Sequence, residues 1–226
     1  MAKLVLFGTG RGAAVAHRFL TSDTDHDIAG FTVDGHYVTE STHRGLPLVA
    51  FEEVEKRFPP DGFRMLILLG YQGMNGLRAQ KFREAKAKGY TLGSYVASDI
   101  FRAEPIKVGE NCFILDNQSI SLDVTIGDDV VMWSSNHIGD RTEIKDHAWV
   151  SSHVTVAADV TIGERAFLGI GATITNGVRI GLGCFVGANV LATSDTSDGS
   201  VLIDGNHRVD VDSQSFMRVM IGSKKL

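Results

Sequence analysis

The residues best placed to do chemistry in the first half of the chain are Gly8-Thr9-Gly10-Arg11-Gly12-Ala13 and Asp34. The glycine segment follows an apolar run, Lys3–Phe7, and leads into an amphipathic stretch that runs to about Leu20. A Gly-x-Gly-x-x-Ala turn between a strand and a helix leaves backbone N–H groups at the helix start, where they and the helix dipole hold a phosphate. Asp34 ends a second apolar run, Ile28–Val33, where an acidic side chain bonds a ribose or a base. A plainer reading stands beside this one: the glycines tighten a turn and Asp34 caps a strand. Cys112 and Cys184 form no CxxC and fit a reducing compartment without disulfides.

The elements that position these groups read as α/β. Glu52–Arg57 is a short helix candidate, Met65–Leu69 a third strand ending at Gly70, and Asn75–Lys88 a polar-faced helix. Strands alternating with helices predict a parallel, Rossmann-like βαβαβ sheet covered by helices. A full dinucleotide fold needs two such halves, and residues 1–100 hold about one. One half suits a mononucleotide moiety such as that of a sugar nucleotide.

From Val108 the character changes. An aliphatic residue recurs at every sixth position: Val108, Ile114, Ile120, Ile126, Met132, Ile138, Ile144, Val150, Val156, Ile162, Leu168, Ile174, Ile180 and Val186. Glycine follows it at Gly109, Gly127, Gly139, Gly163, Gly169, Gly181 and Gly187. Period six is a β-helix signature. Residues 101–192 are expected to form a left-handed parallel β-helix, three hexads to a triangular coil, with the aliphatics stacked inward and the glycines at corners of unusual φ/ψ. Cys112 and Cys184 fall in an inward column of small residues, as packing thiols. The period fails after Val190, so residues 193–226 read as a closing segment: a loop at Thr193–Ser200, then Val201–Ile203 and a basic tail at Arg218, Lys224 and Lys225.

Composition removes several classes of function. The net charge of −5 offers no basic field for nucleic acid. No apolar run approaches the length of a membrane span. The N-terminus lacks a signal-peptide layout, and a cytoplasmic location is expected.

The chain resembles bacterial nucleotide-sugar acyltransferases of the hexapeptide-repeat family, of the type that N-acetylates 4-amino-4,6-dideoxy sugars or O-acetylates sialic acid. The resemblance rests on Gly8–Ala13, FTVDG at Phe31–Gly35, LLGYQGMN at Leu68–Asn75, WSSNHIG at Trp133–Gly139 and SSHV at Ser151–Val154. It implies a homotrimer that transfers an acetyl group from acetyl-CoA to a UDP- or dTDP-linked amino sugar. Gly10, Arg11 and Gly12 would hold the pyrophosphate, Asp34 the base, and Gly70 with Asn75 the rest of the nucleotide. His153, Ala158, Ile170 and Ala188 would line the acyl-CoA groove, and Gly205-Asn206-His207-Arg208 stands where the family closes it with Gly-Asn-Pro-Ala.

The chain departs from the family at the base. A His-His pair that includes the usual base is replaced by Asp140-Arg141. An aspartate with an ordinary pKa of about 3.9 is a poor base, and pairing with Arg141 would weaken it further. His137, three residues earlier, either substitutes as base, positions the acceptor, or only bonds a backbone carbonyl at a corner. His147 reads as surface. The fold also hosts zinc enzymes, whose histidines stack one coil apart. Position 155 is Thr and position 135 is Ser, so neither His137 nor His153 has such a partner and no metal site is expected. Two other functions remain open: a sugar-nucleotide-binding protein that has lost the base, and a purely structural trimer.

Overall fold

The computed structural model describes residues 3–102, 105–203, 207–208 (backbone) and 212–215. The α/β part contains β1 (Lys3–Phe7), α1 (Arg11–Asp23), β2 (Ile28–Val33), β3 (Thr42–His43), β4 (Leu46–Ala50), α2 (Val54–Arg57), β5 (Phe63–Ile67) and α3 (Gly76–Ala87). Strand order is β3-β4-β2-β1-β5. All neighbours run parallel except β3 and β4, which form an antiparallel edge hairpin. That hairpin was not expected. Pro47 interrupts the only run that could have announced β4, and it is tolerated because the ladder to β2 begins only at Leu48. The short helix expected at Glu52–Arg57 divides into a 3-10 turn, Phe51–Glu53, and α2.

Alternation along each strand gives the sheet two buried faces. Leu4, Leu6, Phe31 and Leu66 share a core with Ala13, Ala16 and Leu20 of α1. Val5, Phe7, Met65 and Ile67 share the other with Val54 and Ala85.

The hexads form a parallel β-helix, and the repeated pattern fits the left-handed class. Each two-residue strand pairs with the strand 18 residues on, as Ser119 does with His137 and His137 with Thr155. The first face stacks Tyr95–Val96, Phe113–Ile114, Val131–Met132, Trp149–Val150, Phe167–Leu168 and Phe185–Val186. The second stacks Phe101–Arg102, Ser119–Ile120, His137–Ile138, Thr155–Val156, Thr173–Ile174 and Leu191–Ala192. The third stacks Lys107–Val108, Thr125–Ile126, Glu143–Ile144, Thr161–Ile162 and Arg179–Ile180. The inward aliphatics from Ile114 to Val186 are buried. Coil register already begins at Tyr95–Val96, but Arg102 holds the aliphatic place of its hexad and hides the repeat there.

The glycines after the aliphatics serve a purpose other than the expected one. Left-handed backbone falls two residues later, at every sixth position from Asn111 to Asn189, and only Gly171, Gly177 and Gly183 of that series are glycine. Asn and Asp fill six of its fourteen positions, as their short polar side chains allow. The glycines after the aliphatics are required by space: a Cβ on Gly139 would lie 2.6 Å from the Ala157 carbonyl carbon. Coils stack at about 4.8 Å, which leaves no room for a methyl.

Cys112 and Cys184 point inward and are buried. Burial pushes the Cys112 thiol up to about 12, as befits a packing residue. Thr193–Ser200 is more than a loop. Thr196 donates its N–H to Arg179 O, and Asp195 accepts from Arg179 N, so the segment continues the third face with fewer residues. Val201–Ile203 then returns to the first face, and His207–Arg208 pairs antiparallel with it. Gly205, Asn206, Arg218, Lys224 and Lys225 lie outside the described residues. No described helix is long and apolar enough to cross a membrane.

Candidate active site

The glycine segment connects β1 to α1 at the carboxyl edge of the sheet. Gly8 N–H donates to Thr32 O, and Leu68 N–H to Phe7 O, so the ends of β1, β2 and β5 converge. Sequence order reverses between β1 and β5, the place where open α/β sheets bind ligands. A Cβ on Gly12 would lie 3.1 Å from Leu68 O, so this glycine permits the close approach of two loops. Gly8 has φ +125°, a conformation that favours glycine. Gly10 faces open space. As N-cap it brings no side chain, and the first turn of α1 carries no acidic residue. The positive end of the dipole therefore faces the crevice, with Arg11 exposed beside it. Gly70 borders the same edge, after β5.

Asp34 ends β2 as expected, but its Oδ1 lies 2.5 Å from Lys81 Nζ of α3. Lys81 also reaches Glu84 at 2.7 Å and lies over the rings of Phe7 and Phe51. Burial alone would lower this ammonium's pKa, but the hydrogen bonds and charges of Asp34 and Glu84 outweigh it and hold the pKa raised. One oxygen of Asp34 is therefore committed to the protein.

Asn75 is a correction. It is wholly buried and closes three successive left-handed residues, Gly73, Met74 and Asn75. Its Nδ2 donates to Arg165 O at 3.2 Å, and its Oδ1 accepts from Arg78 Nη1 at 3.2 Å. It joins the α/β part to the β-helix, and its side chain is not presented to the crevice.

Around Asn75 stands a buried network that the sequence reading missed. Arg78 and Asp129 both have 0% side-chain exposure and meet at 3.0 Å. Arg78 Nη2 donates to the carbonyls of Asp129 and His147 at 2.9 and 2.8 Å. Asp129 also accepts from Asn111 Nδ2 at 2.6 Å and lies 2.8 Å from His147 Nδ1. Asn111 Oδ1 accepts from Ile67 N–H of β5. His147 is therefore buried, contrary to its reading as surface, with its ring against Phe82. A signal was present in the spacing: Asn111, Asp129 and His147 are 18 residues apart, one column of the helix facing the α/β part. Tyr71, directly after Gly70, packs edge-on against Trp149 and Phe167 of the first face. The crevice is thus held rigidly against the helix.

The other expected residues gather on the second face and its two bordering corners. His137 is exposed, between Ser119 and Thr155. His153 is exposed at the corner before this face, one coil further on, and its N–H donates to Ser134 O. Ile170 and Ala188 continue the column of Ser134 and Ser152 on that corner, with Ile170 58% exposed. Ala158 lies on the opposite corner, one coil above Asp140. The outward residues between Phe101 and Leu191 on this face are Ser119, His137, Thr155 and Thr173, none of them a carboxylate, Lys or Arg. The first face is covered by the α/β part, and the third carries Lys107, Glu143 and Arg179.

Asp140 does not pair with Arg141. Its Oδ1 accepts Leu122 N–H at 3.0 Å, one coil back. Asp128 accepts from Glu110 N–H and Asp146 from Asp128 N–H in the same way. Asp140 thus has the bonding of a coil-coupling aspartate. Arg141 takes the left-handed position and reaches forward to Asp159, at 2.6 and 2.7 Å. The hydrogen bond from Arg141 holds the Asp159 carboxyl below its ordinary range.

Comparison with known proteins agrees with the architecture. Residues 159–194 match the family model for the hexapeptide repeat of succinyl-transferase. No curated protein sequence matches the chain. Among solved structures, a mutant of perosamine N-acetyltransferase from Caulobacter crescentus, in complex with CoA and GDP-perosamine, is similar at TM-score 0.79 and 23% identity, over 90% of this chain and 94% of that one. The acetyltransferase domain of PglB from Neisseria gonorrhoeae FA1090 with acetyl coenzyme A is similar at TM-score 0.78 and 18% identity, over 93% and 99%. WeeI from Acinetobacter baumannii AYE is similar at TM-score 0.77 and 16% identity, over 92% and 99%. At these identities the likeness is one of fold.

Proposed function

We propose that the chain transfers an acetyl group from acetyl-CoA to an amino or hydroxyl group of a UDP- or dTDP-linked sugar, with His137 as the base. One observation carries the reading: an uncapped helix start at the carboxyl edge of an α/β sheet is joined to a β-helix that exposes a histidine on a face whose outward residues from Ser119 to Thr173 carry no charge. The fold shared with proteins holding CoA and GDP-perosamine, or acetyl coenzyme A, supports it.

In this reading the backbone N–H groups of Gly10, Arg11 and Gly12 hold the pyrophosphate. Gly70 borders the nucleotide, and Asp34 offers its remaining carboxylate oxygen to the nucleoside. His153, Ala158, Ile170 and Ala188 border the thioester's groove. The acceptor nitrogen or oxygen attacks the thioester carbonyl carbon while the His137 imidazole takes its proton. The tetrahedral intermediate then expels the CoA thiolate, which leaves as the thiol after protonation. The second face, with Phe101 67% and Leu191 44% exposed at its ends, suits packing against further copies in a homotrimer.

Release of CoA thiol, followed with UDP- and dTDP-linked amino sugars, tests the mechanism. His137→Ala is expected to lower kcat roughly 10²–10⁴-fold, the worth of a general base. An unchanged rate removes His137 from the mechanism. Asp140→Asn keeps the oxygen that accepts from Leu122 and is expected to leave kcat within about threefold, far less than loss of a base. A second reading, a sugar-nucleotide-binding protein without transfer, draws on Asp140 standing where the resembled family has its base. It predicts binding without thiol release, and gain of release in Asp140→His.

A further inference from the structure

At the end of β2 the chain makes one 3-10 turn, Gly35–Tyr37, closed by Tyr37 N–H to Asp34 O at 2.8 Å and Val38 N–H to Gly35 O at 3.1 Å. The turn is fixed from beside β4: both Glu52 carboxylate oxygens accept from Gly35 N–H, at 2.9 and 3.2 Å. A Cβ on Gly35 would lie 3.2 Å from Glu52 Oε2, so glycine lets the two segments close on each other. A turn pinned in this way holds two aromatic rings in water. Tyr37 is 64% exposed, and its ring centroid lies 4.0 Å from that of His36. Of the seven exposed large hydrophobic side chains among the described residues, Tyr37 and Phe101 are the aromatic ones, and Tyr37 lies within one turn of Asp34 at the end of β2.

An exposed aromatic on a pinned turn has its backbone already ordered, so stacking on it costs less freedom than on a loop that must first be fixed. Asp34 reads a nucleoside by hydrogen bonding at most, since Oδ1 is committed to Lys81. The flat, π-faced part of a nucleotide still needs a surface, and base–aromatic stacking supplies one whichever base is present. We infer that Tyr37, backed by His36, is the platform on which the nucleobase stacks when the pyrophosphate lies on Gly10–Gly12. The inference rests on the nucleotide reading of the crevice. It assigns the platform to a turn that carries none of the glycines or acids of the loop.

Calorimetric titration of the full chain with UDP, dTDP, GDP, CDP and ADP in turn tests it. At least one of these binds, and Tyr37→Ala weakens that one roughly 5- to 150-fold. Tyr37→Phe keeps the ring and is expected to stay within about twofold. Equal affinity in the unmodified chain and Tyr37→Ala overturns the platform and leaves the crevice reading standing. An equal loss in Tyr37→Phe and Tyr37→Ala also overturns it, since the contact would then belong to the hydroxyl. Binding of none of the five overturns the nucleotide reading and the platform with it. The ring is exposed and outside both cores, so all variants should melt with the unmodified chain.

Discussion

Replacing Arg78 by Met tests whether the two parts of the molecule behave as one body. The guanidinium and the Asp129 carboxylate are both fully buried and meet at 3.0 Å. Arg78 also satisfies the carbonyls of Asp129 and His147. Methionine fills much of the volume but strands the carboxylate, which keeps only Asn111 and His147 as partners. Breaking a buried pair from one side costs about 3–5 kcal/mol, mostly because an uncompensated charge stays buried. For a chain of this size that is a fall in Tm of roughly 6–20 °C. The assay is urea and thermal unfolding by circular dichroism, run as a cycle with Asp129→Asn. The double variant should lose less than the two singles together, by about 0.5–3 kcal/mol. Arg141→Met is the control, because the Arg141–Asp159 bridge is more than half exposed on both sides and water screens it. A fall of less than about 2 °C in Arg78→Met, or strict additivity in the cycle, would refute the claim that this network bears the load between the two parts.

Two further outcomes follow from the backbone and from two histidines. Gly139→Ala puts a methyl 2.6 Å from the Ala157 carbonyl carbon, a backbone neighbour that cannot rotate away, and should cost about 1–3 kcal/mol or more by overpacking. Gly177→Asn, at φ +73° with open space around it, should be close to neutral, and equal melting of the two variants would show the close-approach argument wrong. Burial, and then the nearby Arg44 charge, hold His17 and His43 below their ordinary pKa of 6.5. The unfolded chain therefore binds more protons near and below that value, so their contribution is whole above it and is lost as pH falls through it. Tm measured from pH 8 to pH 5 should decline less steeply in the His17→Gln, His43→Gln double variant than in the unmodified chain, and identical slopes would discount the pair.

The repeat could be read because each coil asks the same thing of its residues. An inward aliphatic must recur wherever a short strand turns its side chain into a narrow core, so period six survives in the letters. The left-handed column was harder to see. Its conformation is met by Asn, Asp, Ser, Arg, His or Gly, and only the first two and glycine are conventional signals. The glycines that do stand out, such as Gly139, mark contact between coils, so attention to glycine led to the wrong physical cause. The crevice could be read up to Asp34, because a strand–loop–helix segment is local. Lys81 lies 47 residues from Asp34, and Arg78 lies 51 from Asp129. No window along the chain brings those pairs together, so Asp34 read as free and His147 as surface. The same holds for Asn75, given with Gly70 to the nucleotide: its bond to a carbonyl 90 residues away is visible in no local window.

The histidine face follows from what the other two faces must do. Tyr95, Trp149 and Phe167 on the first face would be costly in water, and Phe19 and Tyr71 of the α/β part pack against them. The third face carries charge, and one of its borders carries Asp128 and Asp146, each tied to the coil before it. From Ser119 to Thr173 the second face carries no charge, and both its borders carry small or neutral residues over several coils: Ser134, Ser152, Ile170 and Ala188 on one side, Ala158 and Asn176 on the other. Charge does stand on these borders, at Asp116 on one and at Asp140, Arg141 and Asp159 on the other, and the bond of Asp140 to Leu122 N–H places it with the coil-coupling aspartates. One oxygen of Asp140 is already occupied by that N–H, as in Asp128 and Asp146. Such a residue suits coupling coils better than taking a proton. The imidazole of His137, three residues before it and exposed on the second face, is the group to which the proposed reaction gives the proton.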